Sequence, residues 1–178
     1  MRLNTIMTSG QPDLIATSPR PGHYEIDPAG STVAFRTTHL FGLLPVRGTF
    51  TVSRGTVEVA ESITESTVHA EIDMASFRTL TPLRDTVVRS RLYLDTDRYP
   101  TSTFASQRWD GETLTGTLTV RDIAKPATLV VGRSVVDGDS FTVHATASVD
   151  RTDFGVTATP GMLGRFLSFF LTVRCVRK

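Results

Sequence analysis

Thr113-Leu114-Thr115-Gly116-Thr117-Leu118-Thr119-Val120 alternates without a break, Thr at every odd position and Leu, Gly, Leu and Val at the even ones. A period of two belongs to an extended strand with one buried and one wet face; a helix would scatter the same residues around its axis. β-branched Thr and Val side chains reinforce the choice, because they lose rotamer freedom in helices and pack well on pleated surfaces. The same rhythm runs outward from this strand. Val33, Phe35 and Thr37 alternate with Thr32, Ala34 and Arg36, and Val46, Gly48, Phe50 and Val52 repeat the pattern. Arg54-Gly55 reads as a tight turn into Val57 and Val59, and Val68, Ala70 and Ile72 alternate with Thr67, His69 and Glu71. Asp137-Gly138-Asp139 reads as a hairpin turn between 128–136 and 141–149. The last strand, 165–176, puts Leu167, Phe169, Leu171 and Val173 on one face and Phe166, Phe170 and Val176 on the other.

Eight or nine strands follow from this count, and the composition agrees: 28 Thr and 18 Val among 178 residues exclude an α-rich fold. One segment departs from the rhythm. Over 82–92, Leu83, Val87 and Val88 stand at helical i, i+4, i+5 spacing, with Thr81 as cap and Pro82 at the first helical position. An all-β chain of about eight antiparallel strands and one short helix forms a sandwich or a closed barrel. A barrel of that size is filled by side chains or holds one small ligand.

At 19.5 kDa the chain is expected to form one domain that buries roughly 70% of its unfolded surface, enough for a core without staples. Residues 1–22 are polar, contain Pro12, Pro19 and Pro21, and read as a flexible arm ahead of a domain over 23–178. A formal net charge of +1 gives no electrostatic footprint for nucleic acid. Cys175 is the only cysteine, so no disulfide forms within the chain. The opening residues lack the apolar run of a signal peptide, and 166–173 is too short to span a bilayer. A cytoplasmic protein without membrane insertion is the expectation.

Motifs for chemistry are sparse. Gly138-Asp139-Ser140 resembles an esterase nucleophile block but falls in a hairpin turn. Asp153-Phe154-Gly155 spells a kinase triplet, yet Lys occurs only at 125 and 178, and no Gly-rich loop accompanies it. His23, His39, His69 and His144 have no ligand-type spacing, so neither a metal nor a cofactor is expected. A barrel without a catalytic constellation leaves its cavity as the functional candidate.

Several segments in order resemble the YceI-like family. They are Tyr24-Glu25-Ile26-Asp27-Pro28-Ala29-Gly30-Ser31-Thr32-Val33-Ala34-Phe35, then Thr38-His39-Leu40 and Val46-Arg47-Gly48-Thr49-Phe50. Ser76-Phe77-Arg78-Thr79, Arg84-Asp85, Leu92-Tyr93-Leu94-Asp95 and Tyr99-Pro100-Thr101-Ser102-Thr103-Phe104 follow, then 114–121 with Lys125-Pro126, and Arg151-Thr152-Asp153-Phe154-Gly155-Val156. The resemblance implies an eight-stranded antiparallel lipocalin-like barrel, often a homodimer, whose lumen binds a long polyisoprenoid lipid, polyprenyl or quinone in type. Storage or transport, not catalysis, is the implied role. The alternative is an enzyme acting on a hydrophobic small molecule within the barrel, with His39 or Asp153 as acid–base.

Phe35, Phe50 and Phe104 fall on faces assigned inward, as barrel core or lumen wall, and Leu118 shares the apolar face of its strand. His39 either meets the polar end of the ligand at the mouth or pins a loop. Arg84 and Asp85 are adjacent on the helix and do not face each other. Arg84 is expected to meet a strand-end carboxylate or a ligand head group, and Asp85 backbone N–H groups. Arg151 and Asp153 are expected to share one face of a strand end and tie the closed end of the barrel, while Gly116 and Gly155 permit a close backbone approach or a bend.

Overall fold

The computed structural model describes residues 18–178, so most of the arm read at 1–22 lies outside the described residues. The strands are β1 (Gly22–Ile26), β2 (Thr32–His39), β3 (Leu44–Val59), β4 (Thr67–Thr79), β5 (Thr101–Trp109), β6 (Thr113–Val120), β7 (Ile123–Asp137), β8 (Ser140–Asp150) and β9 (Phe166–Arg177). One helix, α1 (Pro82–Arg89), connects β4 to β5. From β2 to β9 each strand pairs antiparallel with the next in the chain, and β9 closes back on β2 from Thr32↔Thr172 to Arg36↔Ser168. The result is a closed, lipocalin-like, up-and-down barrel of eight positions.

Nine strands fill eight positions because two share one. β1 pairs with β3 at Gly22↔Val59 to Glu25↔Thr56 and with β9 at Tyr24↔Arg177 to Ile26↔Cys175. Those are also the two neighbours of β2, so β1 and β2 lie in tandem. Of the five residues between them, Asp27 still donates its N–H to the Arg174 carbonyl at 2.8 Å, and 28–31 leave the ladder. Pro28 has no N–H to give it, and the Asp27 carboxylate accepts the Ala29 N–H at 3.0 Å instead.

Two sequence expectations change on folding. Arg54-Gly55 is no turn: β3 runs straight through it, with register shifts at Thr49/Thr51 and Val52/Arg54. A Cβ on Gly55 would meet Ile26 Cδ1 at 2.5 Å and the His69 carbonyl at 2.6 Å, so the glycine permits close contact inside a bulged strand. The helix also turns a different face inward. Leu83 is 76% and Val87 41% exposed, whereas Asp85 is buried. The Asp85 carboxylate accepts the Thr79 N–H at 2.9 Å and the Thr79 hydroxyl at 2.6 Å, and Arg89 donates twice to the Phe77 carbonyl at 2.8 and 3.1 Å. Residues 85 and 89 share a face. Val88 lies about 140° around the axis from Leu83, so only Val88 joins the core. Polar anchoring to β4, not an apolar stripe, seats α1.

All the connections between β2 and β3 (40–43), β4 and β5 (80–100), β6 and β7 (121–122) and β8 and β9 (151–165) fall at one end of the barrel. Loop contacts join them into a rim: Leu40 and Phe41 N–H groups donate to the Met162 and Gly161 carbonyls at 3.0 and 2.8 Å, and the Tyr93 hydroxyl lies 2.6 Å from that of Thr159.

Candidate functional site

The half of the barrel away from this rim is solid. Tyr24, Ile26, Val57, Val59, Phe141 and Cys175 are buried there, with the Tyr24 and Phe141 rings edge to face at 5.0 Å. Phe35, Phe50, Phe77 and Phe169 form the next layer. Phe35 stacks on Phe77 at 5.4 Å, and Phe50 meets Phe77 edge-on at 5.3 Å. Between these rings and the rim lies a cavity of about 210 Å³. Phe35, Phe50, Phe104, Leu118 and Arg84, five of the six residues singled out in the sequence, line it together.

The cavity is off-centre, and side-chain size is the reason. Inward residues of β2 to β5 are bulky and close-packed: Phe35, Val46, Phe50, Met74, Phe77 and Phe104 are all buried. Across from them, inward Leu118, Ala127, Leu129, Ala147, Val149 and Leu171 on β6 to β9 are half-exposed, because they face the void. Gly116 helps to set the boundary: a Cβ there would sit 2.3 Å from the Ala105 carbonyl and 2.8 Å from the Phe104 ring. The missing side chain gives Phe104 its space.

A seam adjoins the void. The last ladder pair between β7 and β8 toward the rim is Leu129↔Ala147; 123–128 of β7 and 148–150 of β8 continue without pairing to each other. The outer groove over this seam shares Ala127, Ala147 and Phe169 with the cavity. Those three side chains stand between cavity and exterior.

Polar groups on the wall are few and mostly saturated. The Thr37 hydroxyl donates to the Phe166 carbonyl at 2.9 Å, and the Ser102 hydroxyl to the Thr119 carbonyl at 2.8 Å. Buried Arg151 donates to the Gly164 carbonyl at 2.9 Å, the Leu163 carbonyl at 3.1 Å and the Val156 carbonyl. Burial pulls its guanidinium below the usual arginine value, against opposing interactions with Tyr93 and Asp150. Arg151 thus has a structural role, as expected, but it ties the β8–β9 connection at the rim from a 3-10 turn (Arg151–Phe154), not the closed end from a strand, and Asp153 does not share its buried face. Asp150 caps that turn; the Thr152 hydroxyl, then its N–H and Arg165, hold the Asp150 carboxyl below the usual range. Arg84 differs. Half-buried on the wall, it has no hydrogen bond or ion pair among the described residues.

His39 stands apart from the lining set. It ends β2, half-buried, with its backbone bridged to Leu163. Asp153 is exposed and does not reach the void. The only titratable groups on the wall among the described residues are Arg84, Tyr93 and Arg151. No three His, Cys, Asp or Glu gather within metal-binding range among the described residues. Cys175 is fully buried, and burial alone pushes its thiol up to about 12, so it is an inert part of the core. Sequence reasoning missed Tyr93, Leu94, Phe154, Val156 and Leu163, which the irregular connections bring onto the wall. No period marks such residues.

An up-and-down β-barrel of eight positions around an apolar cavity belongs to the class of small barrels whose interior is filled by side chains or holds one small apolar guest. Within that class the chain belongs to the YceI-like family: the model of the YceI-like domain matches residues 24–172. Protein YceI of Shigella flexneri is 30% identical over 167 residues, covering 87% of each chain. A UPF0312 protein of Photorhabdus laumondii is 29% identical over 184 residues, covering 97% of this chain and 95% of that one. The fold is similar to the crystal structure of Burkholderia cenocepacia BcnA, with a TM-score of 0.72 at 20% identity over 84% of this chain and 98% of that one.

Proposed function

We propose that the barrel binds a long-chain isoprenoid lipid, polyprenyl or quinone in type, for storage or transport. The hydrocarbon lies against the β6–β9 wall and the polar end reaches the rim beside Arg84. One observation carries the reading: the cavity wall is apolar, and the polar groups on it are already bonded to the protein, except Arg84 near the rim. A ligand of hydrocarbon with one polar end needs nothing more. An isoprenoid of about 40 carbons at roughly 0.3 kcal/mol per heavy atom reaches about −12 kcal/mol, a nanomolar affinity.

The void is smaller than that ligand requires. At about 210 Å³ it falls below the roughly 300–1,000 Å³ of pockets that hold drug-sized molecules. Binding therefore moves the side chains between cavity and seam, and the far end of the chain emerges between β7 and β8 or at the rim. The reading includes a homodimer, which sedimentation tests.

Organic extraction of the purified protein followed by mass spectrometry tests the ligand. The reading expects an isoprenoid near one molecule per chain. A stoichiometric small metabolite that the protein converts on incubation replaces it with the enzyme reading.

A further inference from the structure

Apolar side chains exposed on this molecule are not spread evenly. Among the described residues, ten of the fourteen large ones stand at the rim end of the barrel, and the farthest out belong to two of its connections. Leu80 is 99%, Leu43 79%, Phe41 77% and Leu83 76% exposed. Leu80 and Leu83 flank the start of α1, and Phe41 and Leu43 cap the β2–β3 turn. Leu40 and Phe41 hold φ of 51° and 55°, left-handed values uncommon for non-glycine residues. A surface of this kind is uncommon unless something covers it.

Charge identifies the cover. The rim segments 38–47, 78–100, 121–125 and 150–166 carry ten Arg or Lys against six Asp or Glu, and the rest of the chain nine against twelve. Arg47, Arg78 and Arg91 are exposed beside the leucines. The chain is thus close to neutral overall but uneven in charge, with a basic rim that carries the apolar tips and a slightly acidic remainder. Apolar tips set in a basic ring match the headgroup layer of an anionic bilayer, where leucine and phenylalanine enter the acyl boundary and arginines meet phosphates. We propose that the rim of the barrel docks on the surface of an anionic phospholipid membrane. Docking is peripheral and involves no spanning segment. It goes beyond the ligand reading, and it places the cavity and the adjoining end of the β7–β8 seam at the depth where a lipid would enter or leave.

Co-sedimentation with vesicles tests it, using the full chain and two compositions free of isoprenoid: phosphatidylcholine alone, and phosphatidylcholine with about 30% phosphatidylglycerol. The expected result is partition onto the anionic vesicles at least about tenfold above the neutral ones, falling as salt is raised. Joint substitution Leu80→Ser and Leu83→Ser should lower partition about tenfold. Both side chains face solvent, so the melting midpoint should not move, and neither lines the cavity, so isoprenoid content should not change. Arg78→Glu with Arg91→Glu should abolish the preference for anionic vesicles. Equal sedimentation of wild type and the leucine variant overturns the proposal. So does a wild-type dimer that the leucine variant dissolves, since a second copy of the chain would then cover this face. A protein that docks yet yields no isoprenoid on extraction refutes the ligand reading and upholds docking.

Discussion

Replacing Phe50 is the sharpest probe of the cavity wall. Its ring is 8% exposed and lies 5.3 Å from Phe77, 5.6 Å from Phe35 and 6.5 Å from Phe169, so it belongs to the aromatic layer and the wall at once. Phe50→Leu keeps the wall apolar but loses parts of three ring pairs worth about 0.5–1.5 kcal/mol each. With partial repacking the expected loss is about 2 kcal/mol, which lowers the melting midpoint by roughly 4–8 °C in a domain of this size. Isoprenoid content should change little. Phe50→Asp places a carboxyl with no partner among hydrocarbon, a penalty of about 3–5 kcal/mol for the charged form. Burial raises the folded-state pKa of that carboxyl above its unfolded value. The variant is then closest to wild type below the unfolded pKa, and the stability gap widens as pH rises through the folded value. Thermal melts of the three proteins at about pH 4 and pH 7, with extraction and mass spectrometry of each, give the answer. A Phe50→Asp protein that melts like wild type at both pH values and retains the isoprenoid refutes the placement of Phe50 on an apolar wall.

Gly116→Ala should cost about 1–3 kcal/mol in chemical denaturation, because the new methyl meets the Ala105 carbonyl and the Phe104 ring and nothing at a central strand yields easily. Asp85→Ala leaves the buried Thr79 N–H and hydroxyl unpaired, so a loss of about 1–3 kcal/mol is expected, with faster hydrogen exchange over α1 and the end of β4. Arg84→Gln should leave the melting midpoint unchanged, since Arg84 has no partner among the described residues, and should weaken binding only for a ligand whose polar end is anionic, as titration at low and high salt reads. Cys175 should resist a thiol reagent at pH 8 until the protein unfolds. Because its native pKa is raised to about 12 from 9.0, its contribution to stability is fully present below pH 9 and lost as pH climbs toward 12, which alkaline melts of wild type and Cys175→Ala compare.

Sequence alone determined most of the strands and their inner faces. The Thr–Leu alternation at 113–120 is β6 to the residue, and the odd-numbered apolar residues of the last strand do face inward. Such patterns are legible because a strand's period is two and the side facing water is written at every second position. Phe35, Phe50, Phe104 and Leu118 were reachable for that reason. The same reasoning failed wherever the neighbour mattered more than the period. Arg54-Gly55 is punctuated like a turn, yet β1 and β4 hold it in a strand; Leu83, Val87 and Val88 carry the helical spacing, yet Asp85 and Arg89 decide which face of the helix is buried.

Where the void lies was beyond the sequence altogether. Most inward positions read as apolar, and alternation does not distinguish a filled barrel from a hollow one. Only closure of β9 on β2 sets the bulky β2–β5 wall opposite the smaller side chains of β7 and β8, leaving space that no local rule predicts. Only closure gathers connections far apart in the chain at a single rim, because an up-and-down barrel sends every second connection to the same end. Strand period is a local property of the chain, whereas volume and the gathering of loops are properties of the closed surface.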